Sequence, residues 1–354
     1  MSNLESEKKA LMPLLHTALT LELSTIPPYL TAVLSLKPKT NRVAAELIHS
    51  VMMEEMLHMV MVGNLISSLG GMVEFNKDNI PSYPLSLEFE GKKFREREIA
   101  VNLEPFSPEA MTTFMQIEMP TDLITPEVQA KGVPEIEVPG ISIGEFYELV
   151  ETKLTELCDQ YPECNVFNGN PEHQINKNFY WGAGGTPVVI TNLASAKEAI
   201  NVIVEQGEGS HSSLFDGDKH NFEQPLEVAH YFRFKEISYG RHYKKTDHPN
   251  EAPTGKQFDV DYKAVYPIRI NATAEGYQND DQMKQLNNKF NRNYSLMLRQ
   301  IAEAFNGNPE VLYTAIVNGM HNLTPLAVEM METPIKGDSE GRNGAPSFEW
   351  AGTY

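Results

Sequence analysis

A chain of 354 residues, 41% of them hydrophobic, has material for one large core or two modest ones, in an ordinary globular composition. A formal net charge of -19 with no basic run argues against nucleic acid or an anionic membrane as partner, since both are held through excess Lys and Arg. The two cysteines, Cys158 and Cys164, exclude a disulfide framework, a thiolate zinc site and a four-cysteine iron–sulfur cluster, and they suit a reducing cytosol.

The N-terminal MSNLESEKKA is acidic where an export signal would be basic, so a cytoplasmic location is expected. Residues 5–36 read as a first helix with Leu15, Ala18, Leu19, Glu22, Ile26, Tyr29 and Val33 on one stripe, and Glu22 is the only acid of that stripe. Pro27 and Pro28 remove two backbone donors one turn beyond Glu22 and predict a kink there. A short KPKTN turn leads to a second helix, about 42–69, closed by Gly70 and Gly71 and antiparallel to the first. The apolar stretches 11–35 and 43–69 have membrane-spanning length, but each is broken by His or Glu near its middle, which predicts a soluble protein.

From Met72 to about Pro139 the pattern becomes short and Pro-rich, a long crossover insertion with one helix at 107–116. Ser142 then caps a helix whose buried face is Phe146, Tyr147, Val150 and Leu154, with Glu145 placed to close a capping box. Residues 159–193 are irregular, with a strand or turn expected in NKNFYWGAGGTPVVI. A helix starts near Ser195, and on it Ile200, Val204 and Glu208 share the apolar face while Glu205 lies with Glu198 and Asn201 on the polar one. Residues 226–243 read as the next helix, with Leu226, Glu227, His230, Phe234 and Ile237 along one side. A polar segment with a short strand at AVYPIRI precedes two amphipathic helices near 279–306 and 308–333. The fold class is mainly α, a four-helix bundle over residues 1–250 with an insertion at about 72–140, and 251–354 form a C-terminal helical extension packed on that bundle.

The second helix carries the chemistry. Glu55 and His58 fall on its apolar stripe with Ile48, Val51, Met52, Met59, Val62 and Leu65, where an ionised carboxylate must be paired, protonated or metal-bound. Glu-x-x-His pointing into a bundle is half of a carboxylate-bridged two-metal site. The full set is then Glu22, Glu55, His58, Glu208, Glu227 and His230, in which four carboxylates and two neutral imidazoles offset two divalent ions. Oxygen-rich ligation with one imidazole per ion suits iron first and manganese second. The spacing also occurs at Glu46/His49, about 180° around the helix from the Glu55 pair and hence at the surface, and at Glu208/His211. The latter supports a rival layout, in which helix 142–158 supplies the lone carboxylate, Glu208/His211 the second pair, and His230 is a core residue. Tyr29, Tyr231, Tyr294 and His321 read as core before pocket, and the sixteen methionines as packing.

The segments LTLELSTIPPYL, MMEEMLHM, IGEFYE, IVEQGEGS, HYFRFKEI and GAPSFEW resemble the ferritin-like domain of the iminophenyl-pyruvate dimer synthase family of violacein- and rebeccamycin-type biosynthesis, from about Leu11 to Trp350. Members are longer and oxidatively couple two imines derived from an aromatic amino acid; this chain resembles their ferritin-like part, as a standalone short form. The resemblance implies a ferritin-like metal-binding bundle, with Glu22, Glu55, His58, Glu208 and His230 in the matching motifs and Glu227 carried by the ligand pattern. The expectation is a di-iron, dioxygen-dependent oxidase or oxygenase acting on a small, amino-acid-derived substrate, with a homo-oligomer left open. The rival classes are a non-catalytic or ferroxidase-type iron-binding protein and a bundle that has lost its metal.

Overall fold

The computed structural model describes residues 3–90, 97–123, 135–139, 142–163, 165–209, 214–215 and 228–352. Helix α1 (Asn3–Leu34) and helix α2 (Arg42–Ser68) form the antiparallel pair that their apolar stripes demand. α1 stays helical through both prolines. Pro28 cannot donate to the Ser24 carbonyl, and the Tyr83 hydroxyl donates there instead at 2.7 Å, so the open acceptor one turn from Glu22 is satisfied from outside the helix.

The second pair is α4 (Ile143–Gln160) with α5 (Leu193–Glu208). α4 packs along α1 and α5 along α2, which closes the four-helix frame. Ser142 Oγ accepts from the Glu145 amide at 3.1 Å to start α4, and Phe146, Tyr147, Val150 and Leu154 are fully buried. Asn192 and Ser195 cap α5 reciprocally. Between the pairs lie strands β1 (Leu85–Glu90), β2 (Arg97–Val101) and β3 (Glu135–Pro139), in the order β2-β1-β3. β1 pairs antiparallel with β2, Leu85 opposite Val101, and parallel with β3, Ser86 opposite Glu135. Leu85, Leu87, Ile99 and Val101 alternate onto one buried face.

Helix α3 (Pro108–Ile117) packs against α6 (His230–Tyr239), and α6 also packs on α2 and α5. α6 is shorter than the periodicity from Leu226 predicts. Val228 bridges to Phe215 in extended conformation and Ala229 has ψ of 162°, so the helix begins at His230. Helix α7 (Asp281–Phe305) packs on α2; the last helical run is α8 (Val311–Thr314), a π-helical segment Ala315–Met320, and α9 (His321–Glu332), which packs on α1. A continuous apolar core extends from α1 to α9. Among the described residues, 159–193 contain one 3-10 turn, Pro171–His173, and no strand, and AVYPIRI forms only the isolated bridges Leu36–Val265 and Ile268–Asn343. No helix among the described residues is long and apolar enough to cross a membrane.

Candidate metal centre

Five side chains converge inside the frame: Glu22 from α1, Glu55 and His58 from α2, Glu118 at the C-terminal end of α3, and His230 at the first position of α6. None is more than 3% exposed. They fall into two triads, Glu22/Glu55/His58 and Glu55/Glu118/His230, in each of which the donor atoms lie within 4.8 Å of one another. Glu55 belongs to both. His58 Nδ1 stands 3.4 Å from Glu22 Oε2 and 3.8 Å from Glu55 Oε1. His230 Nδ1 stands 2.9 Å from that same Glu55 oxygen and 3.3 Å from Glu118 Oε2. The two imidazoles stack at 5.5 Å between centroids and turn their Nδ1 atoms to the same carboxylate.

A layer of hydrogen bonds fixes these donors. The Tyr147 hydroxyl donates to Glu22 Oε1, the Tyr29 hydroxyl to Glu118 Oε1 at 2.5 Å, and the Thr25 hydroxyl to Glu55 Oε2 at 3.0 Å. The Gln206 amide nitrogen donates to the Gly184 carbonyl at 2.6 Å, which turns its oxygen toward His58 Nε2 at 2.9 Å. His230 Nε2 lies 2.9 Å from Glu54 Oε2, and Glu54 Oε1 takes a bond from Arg233 Nη1 at 3.0 Å. Each Nε2 faces an acceptor outside the triads; with the ring proton held there, Nδ1 would be free to ligate a cation. Gly184 has φ of +91°, and a Cβ there would lie 2.8 Å from Glu54 Cγ, so only glycine lets this loop lie on α2.

Burial and crowding of charge set the electrostatics of the cluster. Burial, then the charges of Glu118 and Glu22, push the Glu55 carboxyl up to about 8 against the pull of His230. Burial would raise Glu22 as well, but its bonds with His58 and Tyr147 hold it below its usual value. Burial opposes charging His58 and His230, yet the surrounding carboxylates hold both above the ordinary imidazole range, His230 by far. Burial would raise Glu54, and Arg233 and His230 outweigh it. Burial and like charge thus hold Glu55, and the surrounding carboxylates hold His58 and His230, toward their protonated forms.

Of the six residues singled out from the sequence, Glu22, Glu55, His58 and His230 meet here, Glu208 does not, and Glu227 lies outside the described residues. Glu208 ends α5 with its carboxylate bound to the amides of Gly144 at 2.7 Å and Thr121 at 3.0 Å, so it caps the start of α4. Gly144 permits the approach, because a Cβ there would stand 2.6 Å from Glu208 Cδ. Glu227 lies outside the described residues, and the extended backbone at Val228 and Ala229 breaks the helical spacing that linked it to His230. His211 of the rival layout also lies outside them, and its partner Glu208 is spent as a cap. Glu46 is at the surface with Arg42, 2.8 Å away. The missed residue is Glu118, which stands between the apolar Ile117 and Met119. Tyr29, read as core, is buried and also holds Glu118. Inward-facing positions of α4 and α5 carry Tyr147 and Gln206, where a symmetrical bundle would place carboxylates.

Three carboxylates and two imidazole Nδ1 atoms, grouped in two triads that share Glu55, could hold metal, and such oxygen-rich ligation is of the type that suits iron or manganese. The residues present fit such a metal. Residues 15–239 match the family described as ferritin-like. A crystal structure of a ferritin-like protein from Caulobacter vibrioides superposes with a TM-score of 0.61 at 20% identity, covering 95% of this chain and 97% of that one. A search of curated proteins finds no match.

Proposed function

Since this chain belongs to the ferritin-like family, we propose that it is a dinuclear iron oxidase or oxygenase that uses dioxygen on a small organic substrate, with manganese as the alternative metal. One observation carries the reading: two buried histidine–carboxylate triads meet at Glu55. Glu22, Glu55 and His58 would hold one ion, and Glu55, Glu118 and His230 the other. When bound, the metal pair supplies the electrons that reduce dioxygen.

The chain's own residues supply the rest. Tyr29 and Tyr147 fix the outer oxygens of Glu118 and Glu22, so each carboxylate offers its other oxygen inward. Glu55 would have to be ionised to serve both positions, and a bound cation would supply the positive charge that favours that form. Full burial of the five donors keeps bulk water away from reactive species. With Glu54 neutralised by Arg233, three inward carboxylates against two divalent ions leave one positive charge over. That charge suits an anionic substrate group. Together with the sequence resemblance to the ferritin-like domain of iminophenyl-pyruvate dimer synthases, it favours an amino-acid-derived imine bearing a carboxylate, oxidised in the cytoplasm as part of specialised metabolism.

Bound iron and dioxygen uptake, measured in the parent protein, His58→Ala and Glu55→Ala, test the proposal. Full metal content in both variants removes the site. A protein that oxidises iron without an organic substrate is the second reading, favoured by the depth of the donors. It predicts dioxygen uptake that stops when the added Fe(II) is spent and is indifferent to imines of aromatic 2-amino acids.

A further inference from the structure

The two triads match residue for residue. Each has one outer glutamate, one histidine presenting Nδ1, a share of Glu55, and one tyrosine hydroxyl on the outer glutamate's Oε1. They differ on the far side of the imidazoles. His58 Nε2 meets the neutral amide oxygen of Gln206, and His230 Nε2 meets a carboxylate oxygen of Glu54, both at 2.9 Å. Arg233 pairs with Glu54 through Oε1 at 3.0 Å and leaves Oε2 to the imidazole. A hydrogen bond to an ionised acceptor is about twice as strong as one to a neutral acceptor, and it raises the basicity of the ligating nitrogen across the ring.

Resting on the dinuclear reading above, we infer that the two metal positions are unequal and fill in order, the Glu118/His230 position first, with Glu54 and Gln206 as the positioning residues that set the order. Nothing else in the donor set distinguishes the halves so sharply. The outer hydrogen-bond partner of a metal-bound histidine is worth about 10–100-fold in metal affinity, so the exchange of carboxylate for amide is enough to separate two loading steps. The shorter approach of Glu55 Oε1 to His230 Nδ1, 2.9 Å against 3.8 Å to His58 Nδ1, adds in the same direction.

The test is titration of the metal-free protein with Co(II), followed by visible absorption and calorimetry. The parent protein binds two Co(II) in two resolved steps. Glu118→Gln removes the first step, and Glu22→Gln the second. Glu54→Gln, which keeps an acceptor for His230 Nε2 but no charge, weakens the first step by about 10–100-fold, shifts its absorption band and leaves the second step in place. If Glu54→Gln fails to fold, as circular dichroism will show, Gln206→Ala decides: it weakens the second step and leaves the first. Two equal steps in the parent protein overturn the ordering alone, as does a first step that Glu54→Gln leaves unmoved or Gln206→Ala weakens. Fewer than two Co(II) per chain instead sinks the dinuclear reading itself.

Discussion

Glu54 and Glu55 are consecutive on α2, yet they grip opposite nitrogens of one ring: His230 lies 2.9 Å from Glu55 Oε1 through Nδ1 and 2.9 Å from Glu54 Oε2 through Nε2. One turn of helix thus provides both the bridging acid of the centre and the outer support of its second histidine. The ring belongs to α6, outside the four-helix frame, so α2 is the element that joins frame and cover.

Glu118 and Glu208 separate ligation from capping. Glu118→Gln should cost the protein one equivalent of metal while leaving it folded. Glu208→Ala should leave metal content unchanged and lower stability by about 1–3 kcal/mol, because the Gly144 and Thr121 amides lose their acceptor. Elemental analysis beside denaturant unfolding distinguishes the two.

The apo protein should have a stability maximum at weakly acidic pH. Glu55 is raised from 4.5 to about 8, so its contribution is complete below pH 4.5 and lost as pH rises through 8. His58 and His230 are raised from 6.5 and act in the same sense, present below pH 6.5 and lost as pH climbs through their folded-state values. Glu22 and Glu54 are depressed from 4.5, so their contributions are present above that value and lost as pH falls through their folded-state values. Bound divalent metal replaces the stored protons. The stabilisation it confers should therefore grow from pH 5 to 8, as measured by unfolding with and without chelator across that range.

Replacing Tyr29 or Tyr147 with Phe should lower stability by only about 1 kcal/mol, one net hydrogen bond each. Metal affinity should fall by about 10–100-fold at the adjoining position, since an outer carboxylate oxygen loses its anchor. Metal titration at fixed pH checks this, and an unchanged affinity would make the hydroxyls mere packing.

Arg233→Leu should cost roughly 3–5 kcal/mol, because Glu54, 1% exposed, keeps only His230 as a cationic partner. The double variant Arg233→Leu/Glu54→Gln should cost less than the two single changes together, with a coupling of at least about 1 kcal/mol. Unfolding of all four proteins in chelator completes the cycle, and additive effects would refute the pairing.

Glu55 and His58 were legible because a long helix writes its inward stripe into the sequence at fixed spacing, and an acid on that stripe stands out. Glu118 was not, because it ends a ten-residue helix in a Pro-rich stretch where no period points to a core. The start of α6 was misread for a related reason: its N-cap is Ala229, with no capping side chain to mark where an apolar extended run turns helical. Glu208 was assigned to the correct helix and pointed to the wrong neighbour, since periodicity gives a face and not the element across from it. The helical bundle was legible from helix order and length and its ferritin-like character from the resemblance of six segments, whereas the packing of α3 against α6 needed contacts between segments more than 100 residues apart, such as His230 with Glu118.

The Gly184 loop lies under both histidine supports: its carbonyl holds Gln206, and its backbone rests on Glu54. Three residues earlier, Trp181 extends into solvent with 70% of its surface exposed, edge-on to Tyr313 at 6.1 Å. The chain has only one other tryptophan, Trp350. Indole emission from position 181 should therefore respond if metal loading moves the loop, and a fluorescence titration read against Trp181→Phe, which leaves Trp350 alone, checks this.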